Sequence, residues 1–323
     1  MERKVLLTVN YKGKPLEIVQ KLIPEGFSLI TMETTSQDEL EIKAADADYI
    51  LASGKLKISR KVVNEAKKLR MVQRLGVGLD SLDFEALNER DIPVYVNAGV
   101  NAASVAEHAV MFILASLRRL TIINDNTKKG IWKKQEQGIV TRELSTQIVG
   151  IVGIGNIGKK VAKILNAFDC RILYFDVNRL SMEIETDLHI EYKDLESLLR
   201  LSDVITLHCP LTDETKNIIC EKNIRLMKKG VIIVNTSRGG LINEDNLLVA
   251  LEKGEIGFAA LDVFDEEPLN NFHLVRHENV MCTPHIAGNS YDAFSRMMEC
   301  AFENLYSFDI GKLDEIEKHR VVL

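Results

Sequence analysis

The sequence lacks the features that mark membrane and secreted proteins. None of the apolar runs among its 323 residues is long enough to span a bilayer. The N-terminus, MERKVLLTVN, has one short apolar run, which is typical of a first strand and not of a signal peptide. The five cysteines are odd in number and form no C-x-x-C pair or Cys/His cluster. We therefore expect a cytoplasmic protein with free thiols and no structural metal.

The sequence also lacks a nucleic-acid-binding surface. The net charge is −6, acids and bases are interspersed, and no basic stretch stands out. A hydrophobic fraction of 46% and a charged fraction of 27% are ordinary for a globular protein. The length allows two domains, each with its own core. We therefore expect neither nucleic acid nor a membrane as partner.

The most informative stretch runs from Gln147 to Asp176. An apolar run leads into Gly153, Gly155 and Gly158, which are spaced as G-x-G-x-x-G. A helical pattern and a second apolar run follow, and Asp176 ends the second run. Strand, glycine turn, helix, strand and acid form the unit that binds a dinucleotide. A glycine-rich turn without a ligand is the alternative, and the complete unit disfavours it.

Each polar or glycine position in this unit has a physical role. Gly153 allows the tight turn, Gly155 lets a pyrophosphate approach the main chain, and Gly158 lets helix and strand pack closely. The helix N-terminus then faces the phosphates. The carboxylate of Asp176 accepts hydrogen bonds from the adenosine ribose and repels a 2′-phosphate, so we predict NAD as the cofactor. Arg179 is near enough to soften that preference.

Strand-like and helical patterns alternate on both sides of this unit. Residues 1 to 96 contain five strand-like runs with amphipathic helices between them, which predicts a parallel sheet covered on both faces. This region has no second glycine motif. Ligands of such sheets lie beyond the carboxyl ends of the strands, where the loops at 52–54 and 76–78 fall.

Two long apolar helices are predicted, at 101–120 and 291–308. Ser104 resembles an N-cap and Glu107 completes a capping box, so we expect structural roles for Glu107 and His108. Cys209 lies beside a predicted cofactor strand. It is either a reactive thiol or, as we favour, a small half-buried residue.

Polar residues follow several predicted strands of the dinucleotide half. Arg238, Asp262, Glu267 and His285 each lie just past a strand, at the edge where a nicotinamide ring would lie. A guanidinium binds a carboxylate and polarises a carbonyl, and a histidine moves a hydroxyl proton. A carboxylate beside the histidine orients its ring. The set predicts hydride transfer to or from a carbinol that bears a carboxylate.

These residues belong to a set of motifs that resembles a known family, the NAD-dependent, D-isomer-specific 2-hydroxyacid dehydrogenases. The seven motifs occur in family order: GVGLD at 76–80, NAASVAEH at 101–108, VGIGNIG at 152–158, HCPLT at 208–212, NTSRGG at 235–240, ALDVFDEEP at 260–268 and TPHIAG at 283–288.

The resemblance implies an α/β fold of two Rossmann-like domains, with parallel sheets flanked by helices and two chain crossings. Residues 1–101 and 286–323 would form a flavodoxin-like substrate-binding domain, and residues 102–285 the NAD-binding domain. The helix at 101–120 would contribute to a homodimer interface.

The resemblance also implies residue roles. Arg238 would bind and polarise the substrate, His285 would be the acid/base, and Glu267 would pair with it. Ser53 and the backbone of Val77 and Gly78 would contact the substrate. Asn97 and Asn101 would lie near the active site. Asp262 would bind the nicotinamide carboxamide, and the remaining cofactor contacts would be Gly153, Gly155, Asn156, Ile157, Gly158, Asp176, His208, Pro210, Thr236 and Ser104.

Departures from the family pattern bear on the substrate. Phosphoglycerate dehydrogenases often carry an arginine in the loop at 52–54, and here it is missing, although Arg74, Lys55 or Lys57 could compensate. The chain also stops about 40 residues after His285, with no expected regulatory domain. Glyoxylate or hydroxypyruvate is therefore expected first and 3-phosphoglycerate second, followed by a D-lactate-type acid.

An NAD(H)-sensing corepressor-like protein is the alternative that is not an enzyme. A formate-dehydrogenase-like site fits less well, because formate oxidation releases no hydroxyl proton.

Overall fold

The computed structural model describes residues 2–76 and 78–322, which form two compact units. The first unit contains Met1–Asn101 and Tyr291–Leu323, and the second contains Ala102–Ser290. The chain therefore passes from the first unit to the second and back. The second boundary lies five residues later than the one predicted from the sequence, because the amides of Ile286 and Ala287 donate to Asp262 within the second unit.

The first unit is built on a five-stranded parallel sheet with the order β2-β1-β3-β4-β5. This is the doubly wound order of flavodoxin-like folds. The strands are β1 (Arg3–Leu7), β2 (Phe27–Thr31), β3 (Tyr49–Ala52), β4 (Met71–Arg74) and β5 (Val94–Val96). The helices are α1 (Lys14–Leu22), α2 (Gln37–Ala44), α3 (Arg60–Glu65), α4 (Phe84–Asn88), α13 (Tyr291–Asp309) and α14 (Leu313–Ile316).

The second unit is built on a seven-stranded parallel sheet with the order β12-β11-β10-β9-β6-β7-β8. The strands are β6 (Ile148–Val152), β7 (Arg171–Phe175), β8 (Ile190–Tyr192), β9 (Val204–Leu207), β10 (Val231–Asn235), β11 (Ile256–Leu261) and β12 (Val280–Cys282). The helices are α5 (Ala102–Leu117), α6 (Leu120–Lys128), α7 (Lys134–Gly138), α8 (Asn156–Asn166), α9 (Met182–Asp187), α10 (Leu195–Leu201), α11 (Glu221–Ile224) and α12 (Glu244–Glu252). The chain reverses its direction of strand addition between β6 and β9, where a dinucleotide-binding sheet holds its ligand.

Both sheets are covered by helices on two faces, so central strands are apolar along their whole length rather than alternating. In β10 all five residues are buried. One core of the second unit contains Ile113 of α5 and Val161 of α8, and the other contains Leu199 of α10 and Leu247 of α12. The predicted fold class, two parallel sheets flanked by helices, is confirmed.

The predicted long helix at 101–120 is interrupted in the structure. Arg119 has a φ of 50°, and this left-handed residue separates α5 from α6. The predicted N-cap at Ser104 is wrong, because α5 begins at Ala102 and the Ser104 hydroxyl donates to Ala287 O at 2.7 Å. Within residues 2–76 and 78–322, no helix combines the length and the apolarity of a membrane span.

Candidate active site

The glycine turn after β6 has the backbone geometry that the sequence predicts. Gly153 has a φ of 94°, and a Cβ there would lie 2.5 Å from Cys209 N. A Cβ on Gly158 would lie 2.2 Å from Gly153 O, whereas one on Gly155 would meet nothing within 4 Å. The turn is therefore closed towards the protein and open at Gly155. Asn156 and Ile157 form the first turn of α8, whose free amides suit a pyrophosphate.

Asp176 follows β7 and its carboxylate is fixed by two backbone amides. Ile154 N donates to Oδ2 at 2.8 Å and Asn178 N donates to Oδ1 at 3.0 Å. Arg179 is held by Glu185, with Nε–Oε1 and Nη2–Oε2 distances of 2.8 and 3.1 Å, and its guanidinium stacks over the ring of Tyr192. Arg179 therefore pairs with Glu185 at the surface, and its effect on the NAD preference stays a prediction.

Two buried polar atoms without partners lie at the ends of the neighbouring strands β9 and β10. Among the described residues, nothing hydrogen bonds to Nδ1 of His208 or to Oγ1 of Thr236. His208 does contact Thr206 Oγ1 through Nε2, at 2.9 Å. Burial lowers the pKa of His208 to about 3, so its ring is neutral at physiological pH. Unsatisfied buried groups are costly in a folded protein, and these two suit a polar ligand at this edge.

Pro210 and Cys209 complete the loop after β9. Pro210 is exposed, and its carbonyl accepts a hydrogen bond from Thr215 Oγ1 at 2.7 Å. Burial, followed by the nearby Asp176, raises the pKa of the Cys209 thiol to about 11. The thiol is therefore protonated at neutral pH, and Cys209 is buried rather than half-buried, which favours a small packing residue over a reactive one.

Asp262 follows β11 and is the most enclosed acid of the predicted set, at 1% exposure. Its Oδ1 accepts from Ile286 N at 2.9 Å and from the hydroxyl of Thr283, and its Oδ2 accepts from Ala287 N at 2.8 Å. The backbone carbonyl of Asp262 accepts from His285 N at 2.8 Å. Asp262 therefore holds the turn that carries His285.

His285 and Glu267 form the predicted pair. Nδ1 of His285 lies 2.6 Å from Oε2 of Glu267, and Oε1 of Glu267 accepts from Phe264 N at 3.0 Å. A carboxylate only accepts, so Nδ1 carries the hydrogen and Nε2 is left to exchange a proton. The side chain of His285 is 51% exposed, which leaves Nε2 accessible. The Glu267–Pro268 peptide bond is cis.

Arg238 follows β10 and is partly buried. Its Nη1 donates to Ser237 O at 2.7 Å, and its carbonyl accepts from Asn235 Nδ2 at 2.8 Å. The next residue, Gly239, packs so tightly that a Cβ would lie 1.9 Å from the carbonyl carbon of Phe264. The loop of Arg238 is thus packed against the segment that leads to Glu267.

The loops predicted to contact substrate in the first unit are tied together by Arg74. Its Nε donates to Gly78 O at 2.7 Å and its Nη1 donates to Ala52 O at 2.9 Å. Arg74 is 9% exposed. Ser53 N donates to Thr8 Oγ1 at 2.8 Å, so this amide is already engaged. Val77, also predicted to contact substrate, lies outside the described residues.

Sequence reasoning missed one neighbour of this site, Thr283, and the contact that joins it to His108. Thr283 bridges Asp262 and His108, since His108 Nε2 lies 3.0 Å from Thr283 Oγ1. The position of Thr283 at the end of β12, one residue before Pro284, was the available signal. The predicted residues Asn97 and Asn101 lie in the first unit, where Asn97 Nδ2 donates to Met297 O at 2.8 Å.

Comparison with known proteins adds a family match. The model of the NAD-binding domain of D-isomer-specific 2-hydroxyacid dehydrogenases matches residues 110–287. A glyoxylate reductase from Aeropyrum pernix is 36% identical over 92% of this chain and 93% of its own length. A D-3-phosphoglycerate dehydrogenase from Methanocaldococcus jannaschii is 38% identical over 90% of this chain but only 54% of its own length.

A solved structure of a D-lactate dehydrogenase is also similar to this chain. The structure of D-lactate dehydrogenase from Aquifex aeolicus, complexed with NAD and lactic acid, superposes with a TM-score of 0.84. It is 28% identical, and the match covers 99% of both chains.

Proposed function

Since the chain belongs to the D-isomer-specific, NAD-dependent 2-hydroxyacid dehydrogenase family, we propose that it reduces a small 2-keto acid to the D-2-hydroxy acid. Glyoxylate or hydroxypyruvate is the proposed substrate. NADH supplies the hydride when bound. The proposal also covers the reverse oxidation, which uses the same residues with the proton moving the other way.

The observation that carries the proposal is the Glu267–His285 pair on its anchored turn. An imidazole with Nδ1 fixed 2.6 Å from a carboxylate has one nitrogen left, and the side chain that carries it is half-exposed. This geometry supports His285 as the group that gives a proton to the carbonyl oxygen as it becomes a hydroxyl. Arg238 offers a forked donor for the substrate carboxylate, which neither a histidine nor a lysine provides.

The cofactor proposal rests on residues of the second unit. The open face at Gly155, the anchored carboxylate of Asp176, and the unpartnered buried atoms of His208 and Thr236 suit NAD. Asp176 would bind the adenosine ribose and Asp262 the nicotinamide carboxamide. The engagement of Arg179 by Glu185 supports NADH over NADPH, because a 2′-phosphate would need that guanidinium.

Two observations bear on the choice of keto acid. The loop at 52–54 has no arginine, and the guanidinium of Arg74 donates to two backbone carbonyls. A phosphate group would therefore find no arginine in that loop and, at Arg74, a side chain that already binds the loop backbone. This favours a short, unphosphorylated substrate over 3-phosphoglycerate, which is the second candidate. The proposed contacts of Ser53, Val77 and Gly78 with substrate rest on the family resemblance.

A panel of keto acids, assayed with NADH and NADPH side by side, tests the proposal. We expect coenzyme oxidation proportional to enzyme concentration with glyoxylate or hydroxypyruvate, and at least tenfold slower rates with 3-phosphohydroxypyruvate. Rates with NADPH should be lower than with NADH. No turnover of any keto acid, together with a coenzyme-dependent change in self-association, would instead favour the NAD(H)-sensing protein.

We also propose a homodimer in the cytoplasm. Large apolar side chains are exposed around α5 to α7: Met111, Leu120, Trp132, Ile139 and Val140. Exposed apolar area of this kind is typical of an interface between subunits. The five free cysteines suit a reducing compartment. Sedimentation at micromolar concentration should give twice the 36.4 kDa chain mass, and a monomer would contradict the dimer.

A further inference from the structure

A chain of hydrogen bonds lies behind the turn that carries His285. His108 Nε2, on α5, lies 3.0 Å from Thr283 Oγ1, and the Thr283 hydroxyl donates to Asp262 Oδ1. One turn earlier on α5, the Ser104 hydroxyl donates to Ala287 O at 2.7 Å. Helix α5 thus holds both ends of the segment 283–287, one end through His108 and the other through Ser104.

The donor and acceptor roles in these hydrogen bonds follow from the hydrogens that each side chain carries. Thr283 has one hydroxyl hydrogen, and Asp262 accepts it, since a carboxylate has none to give. Towards His108, Thr283 is therefore the acceptor, and Nε2 of His108 must carry a hydrogen. Burial lowers the pKa of His108, although Asp262 opposes this, so a neutral ring with hydrogen on Nε2 is consistent with its surroundings.

The last acceptor in this series of hydrogen bonds is the Asp262 carboxylate, which fixes the turn. Asp262 Oδ1 is shared by Thr283 and the amide of Ile286, and Oδ2 accepts from the amide of Ala287. His285 itself has a φ of 54°, a left-handed conformation that a residue with a Cβ adopts only where its surroundings hold it. Loss of the Thr283 hydrogen bond would leave Oδ1 of Asp262 held by the amide of Ile286 alone and would so loosen the turn.

We propose that His108, Thr283 and Ser104 are positioning residues for the acid/base. The relay from His108 through Thr283 fixes the orientation of the Asp262 carboxylate, and Ser104 fixes the far end of the turn. Together they keep the imidazole of His285 where it meets the reacting oxygen. Ser104 is thereby assigned to the turn rather than to the coenzyme. This inference rests on the proposed function, because it concerns the accuracy with which His285 is placed.

The kinetic test compares Thr283→Val with Thr283→Ser. Valine removes the hydroxyl at nearly constant volume, and serine restores it. We expect Thr283→Val to lower kcat for keto-acid reduction by about 10–100-fold, because small displacements of a reacting group cost that much. Thr283→Ser should recover to within about threefold of wild type. Thr186→Val, which removes an exposed hydroxyl bonded to Met182 O, is the matched control and should leave kcat unchanged.

Three milder variants serve if Thr283→Val does not fold. His108→Leu removes the donor and His108→Gln retains one, and Ser104→Ala removes the bond to Ala287. We expect His108→Leu and Ser104→Ala each to lower kcat by about 3–10-fold, with His108→Gln closer to wild type. Equal kcat in His108→Leu and His108→Gln, with Ser104→Ala unaffected, would overturn the assignment.

A second readout uses the coenzyme-free protein. Hydrogen exchange at the amides of Ile286 and Ala287 should speed up by about tenfold or more in Thr283→Val, with β6 and β9 unchanged. Faster exchange throughout the second unit would mean general destabilisation and would overturn the positioning role. In wild type, ¹⁵N NMR should find the hydrogen of His108 on Nε2, and the other tautomer would contradict the relay.

His285→Gln, measured in parallel, distinguishes a failure of the positioning inference from a failure of the proposed function. If His285→Gln is impaired and Thr283→Val turns over normally, the positioning inference fails and the proposed function stands. If His285→Gln also turns over normally, the proposed function fails first.

Discussion

Both units contain a parallel sheet, but different kinds of residues follow the carboxyl ends of its strands. In the second unit, charged side chains follow the strands and are held by other side chains, as Glu267 holds His285 and Thr283 holds Asp262. In the first unit, the corresponding loops present mainly backbone, and Arg74 and Thr8 hold them from behind. The second arrangement suits proton movement and charge stabilisation, and the first suits recognition by backbone groups.

We infer from this difference that the residues after the strands of the second unit carry the chemistry and that the loops of the first unit recognise the substrate. If it is correct, variants in the second unit should lower turnover, whereas variants in the first unit should raise the KM for keto acid. The following predictions are ordered from the largest expected effect to the smallest.

Arg238→Gln should show the largest effect in the second unit. It removes the forked cation proposed to hold the substrate carboxylate and polarise the carbonyl. We expect kcat/KM for the keto acid to fall by roughly 10²–10⁴-fold, with NADH binding by calorimetry little changed. Arg200→Gln removes a surface arginine paired with Glu196 and is the control. A fall of less than tenfold in Arg238→Gln would remove it from the proposed chemistry.

Glu267→Gln should have the next largest effect. The amide keeps an oxygen for Phe264 N, but it can present an NH₂ group to His285 and so reverse the tautomer of the ring. We expect kcat to fall by roughly 10–100-fold. Glu266→Gln changes the neighbouring exposed acid and should leave kcat near wild type. Equal rates in the two variants would contradict the role of the pair.

Arg74→Met tests the first unit. Loss of the guanidinium removes the link between Ala52 and Gly78, so we expect the KM for keto acid to rise by about tenfold, with kcat within about threefold of wild type. Arg90→Met is the matched control, because Arg90 Nη1 also donates to backbone carbonyls, including Ala66 O at 3.1 Å, at the end of α3. A lower kcat with an unchanged KM in Arg74→Met would break the proposed division between the units.

His208 should produce the smallest effect, on stability in acid. Its pKa is lowered to about 3 by burial, whereas the unfolded chain keeps the ordinary value near 6.5. Between these values the unfolded state binds a proton at His208 and the folded state does not. The free energy of unfolding is therefore undiminished by His208 above about pH 6.5. It declines as pH falls below that value, by at most about 1.4 kcal/mol per pH unit.

Urea unfolding of the coenzyme-free protein at pH 7 and pH 5 measures this decline. His208→Gln should lose less stability between the two pH values than wild type does, and the exposed His189→Gln should behave as wild type. The same decline in wild type and His208→Gln would contradict the assignment.

Much of the site could be predicted from sequence because it depends on short, local rules. The glycine spacing, the strand ends and the acid after β7 are all visible in runs of a few residues, and the structure ends β10 at Asn235, shortly before Arg238, as predicted. The helix at 101–120 was predicted too long, because nothing in the letters around Arg119 signals a left-handed residue.

The relay from His108 to Thr283 could not be predicted, because it joins residues 175 positions apart. The same holds for the partners of Arg74 and Arg179, because the sequence does not show which groups these long side chains contact. Local patterns fix strands, turns and helix faces, whereas the partner of a long polar side chain depends on packing between distant elements.

The central claim is that His285, held by Glu267, moves the proton during NAD-linked reduction of a 2-keto acid. The most direct measurement is a single turnover of His285→Gln with bound NADH and glyoxylate or hydroxypyruvate, alongside calorimetric titration of NADH. We predict that the rate of coenzyme oxidation falls by about 10²–10⁴-fold while the affinity for NADH stays within about threefold of wild type. An unchanged rate in this variant would contradict the claim.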